Sequence, residues 1–553
     1  MADRPKAVKL AKKHREVGVA EFFARNKHLL GFDNLRKSLL TTIKEAVDNS
    51  LDACEEADIL PEISVEIIEM SANRFRVIVE DNGPGIVKKN LGKIFAKLLY
   101  GSKFHSRKQG RGQQGIGISA AVMYAQLSTG RPAKIMSRIS AGRPAHYMEL
   151  TLDTAKNEPK VIVDEEKPWD KEHGTRIELD IKASYQKGMQ SVDEYIKETA
   201  VTNPHATIIY VNPKAEQYVF ARVSEELPRK AKEIQPHPYG VEVGELIKMM
   251  GDTNEKTLTS CLQKDFSRVS ANVAKEILQN ARLSPSMNPH EMTREHAESL
   301  ITGIQETKIM APPTDCLSPI GEELLEKGVK KEVRAEFYSA TSRPAIVVNG
   351  NPLQVEVALA FGGEQEKDKP ARLMRFANRV PLLYQQGGCG ITKAVTTTNW
   401  KPYGVQQSGQ NMPHGALTIV VHIASVWVPF TSESKEAIAN HDDIIKEVKL
   451  GLQDAGRDLN KYIKKKYKAH HALERANLFE RYIPEVAHSL AKLTGENEQQ
   501  LVTDLNNMTH KEQLVGNIEA LKAENVEYDE EFASIGKEEK EDVDGETEPE
   551  GST

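Results

Sequence analysis

Residues 41–53, TTIKEAVDNSLDA, constrain the fold of this 553-residue chain more than any other stretch. At 3.6 residues per turn, the apolar side chains of the stretch form one flank of a helix. Glu45, Asp48, Asn49 and Asp52 gather on another face, and no Lys or Arg interrupts them. A solvated helix normally mixes acids and bases at these spacings. The pattern therefore predicts a packed helix whose acidic face meets a cation from elsewhere in the chain.

The order of two residues on this face favours a particular chemistry. Glu45 lies one turn before Asn49. A carboxylate can take a proton from water, and an amide oxygen can hold a hard ion such as Mg²⁺. The pair suits nucleotide hydrolysis, although so short a match also fits an ordinary solvated helix face.

Two glycine clusters follow. Residues 76–86, RVIVEDNGPGI, predict a strand that runs into a turn whose glycines let backbone approach a ligand. Residues 110–119, GRGQQGIGIS, precede the helical run AAVMYA, and the unpaired N–H groups and dipole of a helix N-terminus attract phosphate. The loop lacks the Gly-Lys-Ser/Thr ending of a P-loop, and no strand immediately precedes it as a dinucleotide-binding motif requires. The sequence excludes those two phosphate-binding motifs.

Four motifs in order resemble the four boxes of the GHKL ATPases, the superfamily of gyrase, histidine kinases and MutL. They are ExxxN (Glu45, Asn49), DNGPG (81–85), GxxGxG (Gly112, Gly115, Gly117) and HGT (173–175). The conjunction is specific, whereas any one of these motifs alone is not. The resemblance implies ATP and Mg²⁺ as cofactors and an α+β nucleotide-binding sandwich.

The resemblance also implies roles for individual residues. Glu45 would be the general base that polarises the attacking water, Asn49 would hold Mg²⁺, and Asp81 would accept the adenine amino group. The ATP-binding residues implied by the resemblance are Asn49, Asp81, Gly85, Ser102, Lys103, Gly112, Gln113, Gln114, Gly115, Ile116, Gly117, Ile118, Ser119, Thr175 and Lys435. Those from Ser102 to Ser119 would form a lid over the phosphates.

Lys435 stands apart from the four motifs, at the start of a predicted helix after the last strand. An isolated lysine at such a place is usually exposed surface. The family resemblance implies another role, in which this lysine reaches into the ATPase domain and binds the γ-phosphate. Loss of that phosphate on hydrolysis would free the second domain to swing.

Within the superfamily, the chain is most similar to the B subunits of type IIB topoisomerases (DNA topoisomerase VI). The similarity runs from about residue 17 to about residue 490 and rests on AEFFARNKHLLGF (20–32), NPHA (203–206), HPYGVE (237–242), FANRVPLLY (376–384) and WKPY (400–403). It implies that ATP dimerises two B subunits into a gate around double-stranded DNA. A duplex would then pass through a double-strand break made by the A subunit, in an A2B2 heterotetramer that relaxes and decatenates DNA. An ATP-driven clamp of chaperone or MutL type, without topoisomerase activity, is the alternative.

The predicted fold class is α+β. Residues 62–79 and 133–180 alternate like strands of an antiparallel sheet covered by helices on one face. Composition and resemblance together divide the chain into a basic arm (1–16), a GHKL ATPase domain with an N-terminal strap (17–227), a helix-two-turns-helix domain (228–318), a transducer domain with a long C-terminal helix (319–470), helices that contact the A subunit (471–536) and an acidic disordered tail (537–553).

Charge and composition exclude several protein classes. The net charge of −6 is concentrated in residues 537–553, which hold eight acids and two lysines, so the remaining 72 acids balance 72 bases. The four cysteines are far apart, so neither a zinc site nor a disulfide framework is predicted. No apolar run approaches the roughly 20 residues that span a bilayer. We expect a cytoplasmic, nucleoid-associated protein, archaeal by resemblance, with no membrane partner.

Three basic or aromatic segments are candidates for DNA contact. Lys264, Arg268, Lys275 and Arg282 would meet phosphates of the duplex, or form a solvated face. Residues 400–403, WKPY, resemble a family loop near DNA, or an ordinary aromatic turn. Residues 461–468, KYIKKKYK, would follow duplex backbone, or form a solvated face.

Overall fold

The computed structural model describes residues 17–102, 106–112, 115–432 and 434–508. The predicted basic arm, the acidic tail, Lys103, Gln113 and Gln114 lie outside these ranges. The α-helices are α1 (Val19–Arg25), α2 (Leu35–Glu56), α3 (Lys88–Ala96), α4 (Gly117–Thr129), α5 (Val192–Thr202), α6 (Val243–Asp252), α7 (Leu258–Asp265), α8 (Ala271–Asn280), α9 (Arg294–Glu306), α10 (Glu322–Glu332), α11 (Gly390–Thr397), α12 (Asp442–Thr494) and α13 (Glu498–Met508).

An eight-stranded sheet forms the first layer. Its strands are β1 (Glu62–Ser71), β2 (Arg74–Asp81), β3 (Ala133–Arg138), β4 (Ala145–Asp153), β5 (Glu158–Lys167), β6 (Gly174–Lys182), β7 (Thr207–Val211) and β8 (Gln217–Phe220). Their order is β5-β4-β3-β6-β2-β1-β7-β8, and every pairing is antiparallel except that of β1 with β7. This arrangement confirms the α+β class.

One face of this sheet carries the core. Val65 of β1 and Val77 of β2 are buried, because alternate residues of a strand point to the same face. They pack in one cluster with Ile43, Val47 and Leu51 of α2. The apolar flank predicted for residues 41–53 is therefore the face that α2 turns to the sheet.

A separate helical unit follows the first sheet. Helices α6 to α9 enclose their own core, which includes Leu246, Leu262, Ile277 and Leu300. The side chains of Thr257, Ser270 and Thr293 accept a backbone N–H at the starts of α7, α8 and α9. Residues 307–321 then contain neither helix nor strand.

A second sheet is built from β9 (Phe337–Ser342), β10 (Ile346–Val348), β11 (Asn351–Phe361), β12 (Arg372–Ala377), β13 (Val380–Pro381) and β14 (Leu417–Ser425). Its order is β10-β11-β14-β12-β13, with β9 paired to β11. Every residue of β14 is buried because helices cover both faces, α10 on one and α11 with α12 on the other. Helix α10 also packs on α5, where a Cβ on Gly328 would lie 2.0 Å from the carbonyl oxygen of Val201. The two sheets are thereby joined.

The last long helix differs from the prediction in length. The apolar stripe predicted from residue 445 onward is confirmed, since Ile445, Val448, Leu452 and Leu459 are buried against the second sheet. The helix does not end near residue 470, however, but continues through Pro484 to Thr494. The proposed boundary at 470 therefore falls inside α12. No described helix combines the length and apolar character needed to cross a membrane.

Candidate nucleotide site

A cavity of about 590 Å³ opens between α2, β2, the start of α4 and the loop before α12. The predicted general base Glu45 lines it, together with most of the predicted ATP-binding residues: Asn49, Asp81, Gly85, Ser102, Gly112, Gly115, Ile116, Gly117, Ile118, Thr175 and Lys435. Ser119 is not among the lining residues. It is buried, and its hydroxyl donates to the carbonyl oxygens of Ile94 and Lys97, so its role in the structure is to tie α4 to the end of α3.

The carboxylate of Asp81 is held at the end of β2. It accepts hydrogen bonds from the Ser50 hydroxyl at 2.8 Å, the Gly83 N–H at 2.9 Å and the Thr175 N–H at 3.1 Å. Burial raises the pKa of Asp81, although these donors oppose the rise. An acceptor fixed so firmly in a partly apolar cavity is suited to distinguishing one purine base from another.

Gly85 shows why the turn after β2 is rich in glycine. Its φ is +70°, and a Cβ there would lie 2.0 Å from the carbonyl oxygen of Arg138. Both the backbone conformation and the close approach require a residue without a side chain.

Glu45 meets the first residue of α4. A Cβ on Gly117 would lie 1.7 Å from the Oε2 of Glu45, so the carboxylate occupies the space that any side chain would take. Glu45 is therefore positioned beside the N–H groups at the start of a helix, where phosphate is favoured.

Asn49 lies one turn further along α2 and is exposed to the cavity. Its Nδ2 donates to the Glu45 carbonyl oxygen at 2.8 Å, which leaves Oδ1 as an acceptor toward the cavity. The described residues contain no cluster of three or more His, Cys, Asp or Glu that could hold a metal by itself. A single amide oxygen fits an Mg²⁺ ion that takes its remaining ligands from phosphates and water.

The cation predicted opposite the acidic face is Arg111. Its guanidinium donates to Asp52 at 2.7 Å, to both oxygens of Glu55 at 2.7 and 2.9 Å, and to Asn203. His205 adds a second contact to Glu55 at 2.8 Å. Burial would raise the pKa of Glu55, but Arg111 and His205 outweigh it and hold that pKa well below its usual range. The sequence predicted a cation here without identifying which residue supplies it.

Asp48, on the same helix, is buried and accepts a hydrogen bond from the Tyr195 hydroxyl at 3.0 Å. Burial raises its pKa to about 7. Asp48 and Asp52 therefore both have partners within the fold.

Lys435 reaches the cavity from the second sheet. It lies in the loop between β14 and α12 with a φ of +52°, and its Nζ donates to the Arg111 carbonyl oxygen at 3.1 Å. Burial lowers its pKa, while Glu45 opposes that change. Glu45 and Lys435, almost four hundred positions apart in the sequence, thus line one cavity.

Several cavity residues were missed by sequence reasoning. Pro381, Leu383 and Tyr384 line the wall, and Lys37 pairs there with Glu436. The first three belong to FANRVPLLY, a stretch noted for its resemblance but given no role in the site. Nothing local in the sequence pairs Lys37 with a glutamate from the second sheet.

The proposed DNA-contacting groups are partly engaged within the fold. Trp400 is fully buried, and its Nε1 donates to the Val395 carbonyl oxygen at 2.9 Å. Lys264 pairs with Glu255, and Lys466 lies buried against Glu336 at 2.8 Å.

Two family models match the chain. Residues 34–184 match the histidine kinase-, DNA gyrase B- and HSP90-like ATPases, which identifies this part of the chain as a GHKL ATP-binding domain. Residues 312–475 match the transducer of the topoisomerase VI B subunits.

Curated relatives identify the family. The chain is 49% identical to the B subunit of type 2 DNA topoisomerase 6 from Methanococcoides burtonii, over 88% of this chain and 78% of the relative. It is 47% identical to the corresponding protein of Methanosarcina acetivorans, over 93% and 82%, and 45% identical to that of Archaeoglobus fulgidus, over 87% and 80%. The chain belongs to the family of B subunits of type 2 DNA topoisomerase 6, which are the ATPase subunits of a type II DNA topoisomerase.

Solved structures align more weakly. The 43K ATPase domain of Thermus thermophilus gyrase B superposes with a TM-score of 0.38 at 12% identity, over 82% of this chain and 92% of that one.

Proposed function

We propose that the chain binds and hydrolyses ATP in the cavity described above, and that the nucleotide state controls the second sheet through Lys435. The observation that carries the proposal is that Glu45 of α2 and Lys435 of the loop after β14 line the same cavity. The two residues belong to the layers of different sheets, so a ligand that both contact would tie one layer to the other.

In this scheme the predicted site residues divide the work on the nucleotide between them. Glu45 polarises the attacking water, Asp81 accepts the adenine amino group, and Asn49 supplies an oxygen ligand to Mg²⁺. The ion, when bound, neutralises charge on the phosphates. Gly112 and the residues from Gly115 to Ile118 direct backbone N–H groups at the phosphates.

Lys435 couples the presence of the γ-phosphate to the position of the second sheet. In the described structure its ammonium donates to the Arg111 carbonyl oxygen, at the base of the predicted lid. A γ-phosphate is a stronger partner for an ammonium than a neutral carbonyl. ATP therefore draws the loop after β14 inward, and loss of the phosphate returns Lys435 to the carbonyl and frees the second sheet.

Family membership supports a proposal for the assembly. Since the relatives are named as B subunits, we propose an A subunit as partner, double-stranded DNA as substrate and an A2B2 heterotetramer. ATP closes two B subunits around a duplex, and the A subunits hold the broken duplex through which it passes.

The proposal is tested by adding the A subunit and measuring ATP-dependent decatenation of linked DNA circles. Glu45→Ala should abolish ATP turnover and decatenation but retain dimerisation on a non-hydrolysable analogue. Lys435→Ala should impair both ATP turnover and that dimerisation. Wild-type turnover in Glu45→Ala would contradict the catalytic assignment. ATP turnover without any decatenation in the complete complex would favour the ATP-driven clamp instead.

A further inference from the structure

A second cavity, of about 440 Å³, adjoins the candidate nucleotide site. Its walls come from the end of α2, residues 106–112, residues 228–231 after the first sheet, and the second sheet's Asn378 and Arg379. No role in ATP binding or hydrolysis was predicted for this second cavity.

Arg379 is the unusual member of the lining. It is only 5% exposed, and its Nη2 donates to the carbonyl oxygens of Ser318 and Pro319 at 3.3 and 3.1 Å. Its Nε is buried without a hydrogen-bond partner, and its Nη1 donates to no group in the described part of the chain. Burial lowers its pKa to about 10. A buried guanidinium is costly unless an anion compensates its charge.

Among the described residues, no carboxylate forms an ion pair or a hydrogen bond with Arg379, although the charge of Glu55 opposes the fall in its pKa. The carboxylates of the lining are Asp52, Glu55 and Glu56, and the cations are Lys108, Arg111, Arg229, Lys230 and Arg379. Arg111 takes up Asp52 and Glu55, while Arg229 and Lys230 pair with Asp315 and Asp58 outside the lining.

Lys108 is the second cation of the lining that has no ion pair among the described residues. It is partly buried, and among the described residues it has neither an ion pair nor a hydrogen bond. The cavity thus combines two cations that have no carboxylate partner with enough volume for a small oxyanion.

A narrow space links this cavity to the nucleotide site. A cavity of about 30 Å³ shares Glu45 and Lys435 with the nucleotide site, and Arg111 and Asn378 with the second cavity. It has room for water but not for phosphate. The hydrogen bond from Asn378 Nδ2 to the Gly110 carbonyl oxygen, at 3.1 Å, holds the partition in place.

We propose that the second cavity binds inorganic phosphate, with Arg379 and Lys108 as its cationic ligands. Hydrolysis of ATP in the adjoining site releases inorganic phosphate. The phosphate enters the second cavity when the hydrogen bond between Asn378 and Gly110 breaks and the partition opens. That the phosphate is a reaction product rests on the proposed ATPase function, whereas the binding itself does not.

The binding is tested by equilibrium dialysis of radiolabelled inorganic phosphate against the full chain, with the nucleotide site saturated by a non-hydrolysable ATP analogue and Mg²⁺. We expect one phosphate per chain to remain bound. Lys108→Met should weaken it about tenfold, as for loss of one charge-assisted hydrogen bond. Lys160→Met, an exposed lysine on β5, should leave the dissociation constant unchanged. Arg379→Met should abolish binding.

Several results would contradict phosphate binding in the second cavity. No phosphate bound beside the analogue, or equal affinity in Lys108→Met and wild type, overturns the proposal. If thermal melting shows that Arg379→Met does not fold, Lys108→Met decides alone. If a duplex oligonucleotide displaces the bound phosphate, and this displacement requires Lys108, then Lys108 is a DNA contact. That result would also overturn the proposal. If the analogue does not bind, the ATPase proposal fails, but phosphate titration of Lys108→Met still decides for this cavity.

Discussion

Gly117 positions a proposed catalytic group by having no side chain. A Cβ at this residue would lie 1.7 Å from the Oε2 of Glu45. Gly117→Ala should therefore displace the carboxylate and lower the rate of ATP hydrolysis at least about 100-fold, since a misplacement near 1 Å can cost that much. The atoms closest to the added Cβ belong only to the side chain of Glu45, which can move, so the melting temperature should stay close to that of the wild type.

The control for Gly117→Ala is Gly142→Ala, where a Cβ would meet nothing within 4 Å. It should retain wild-type turnover. A Gly117→Ala variant that hydrolyses ATP at the wild-type rate would show that Glu45 need not lie where the structure has it.

Asp48 makes stability depend on pH. Burial raises its pKa from 3.8 to about 7, so the folded chain keeps a proton that the unfolded chain loses. Wild-type stability should therefore fall as the pH rises from about 4 to about 7 through this group. Asp48→Asn cannot ionise and retains an acceptor for Tyr195, so its stability relative to wild type should increase by about 3 kcal/mol between pH 5 and pH 8.

Urea unfolding of Asp48→Asn and wild type at several pH values measures this difference. The exposed Asp170 provides a matched removal of one carboxylate at the surface, Asp170→Asn. A stability difference between Asp48→Asn and wild type that does not change with pH would mean that Asp48 is ionised in the fold.

At the level of helices and loops, Arg111 joins the base of the predicted lid to α2. It pairs with Asp52 and Glu55 while its carbonyl oxygen accepts from Lys435. Removing one member of a buried ion pair leaves the others uncompensated, at a cost of about 3–5 kcal/mol. Arg111→Met should lose that much stability in chemical denaturation.

The comparison for Arg111→Met is Arg294→Met. Arg294 pairs with Glu298 on the surface of α9, where both side chains are exposed, and an exposed pair contributes about 1 kcal/mol or less. Equal losses in the two variants would show that the buried cluster contributes no more than a surface pair.

The same elements show what sequence could and could not predict. The apolar flank of α2, the strand before Asp81 and the stripe of α12 follow from periodicity, which is local, and the structure confirms them. The partner of the acidic face and the contacts of Lys37 depend on residues brought together only by the fold. Strands β7 and β8 were not predicted because they are short, and β8 is largely exposed. The end of α12 was placed too early because the helix continues once it leaves the core.

For the whole assembly, the far end of α12 provides a candidate surface for the A subunit. Leu478, Phe479, Tyr482 and Val486 lie exposed along it, and Phe479 is 65% exposed. Large apolar side chains on one helix face are typical of a docking surface. Phe479→Asp should weaken binding of the A subunit about 30-fold or more, which corresponds to about 2 kcal/mol, and leave ATP hydrolysis by the isolated chain unchanged.

Titration of the labelled A subunit against each variant measures that affinity. Lys492→Asp changes charge on the same helix without removing an apolar group, and it should bind within about threefold of wild type. Undiminished affinity in Phe479→Asp would place the A-subunit contact elsewhere.

Glu45 and Lys435 should both contact the same γ-phosphate, and a crystal structure with a non-hydrolysable ATP analogue and Mg²⁺ would measure this directly. We predict that the Lys435 Nζ lies about 3 Å from a γ-phosphate oxygen, and that Glu45 holds a water in line with the same phosphorus, within hydrogen-bond reach of about 2.6–3.2 Å. A bound nucleotide whose γ-phosphate lies more than about 10 Å from either group, well beyond that reach, would contradict the coupling of hydrolysis to the second sheet.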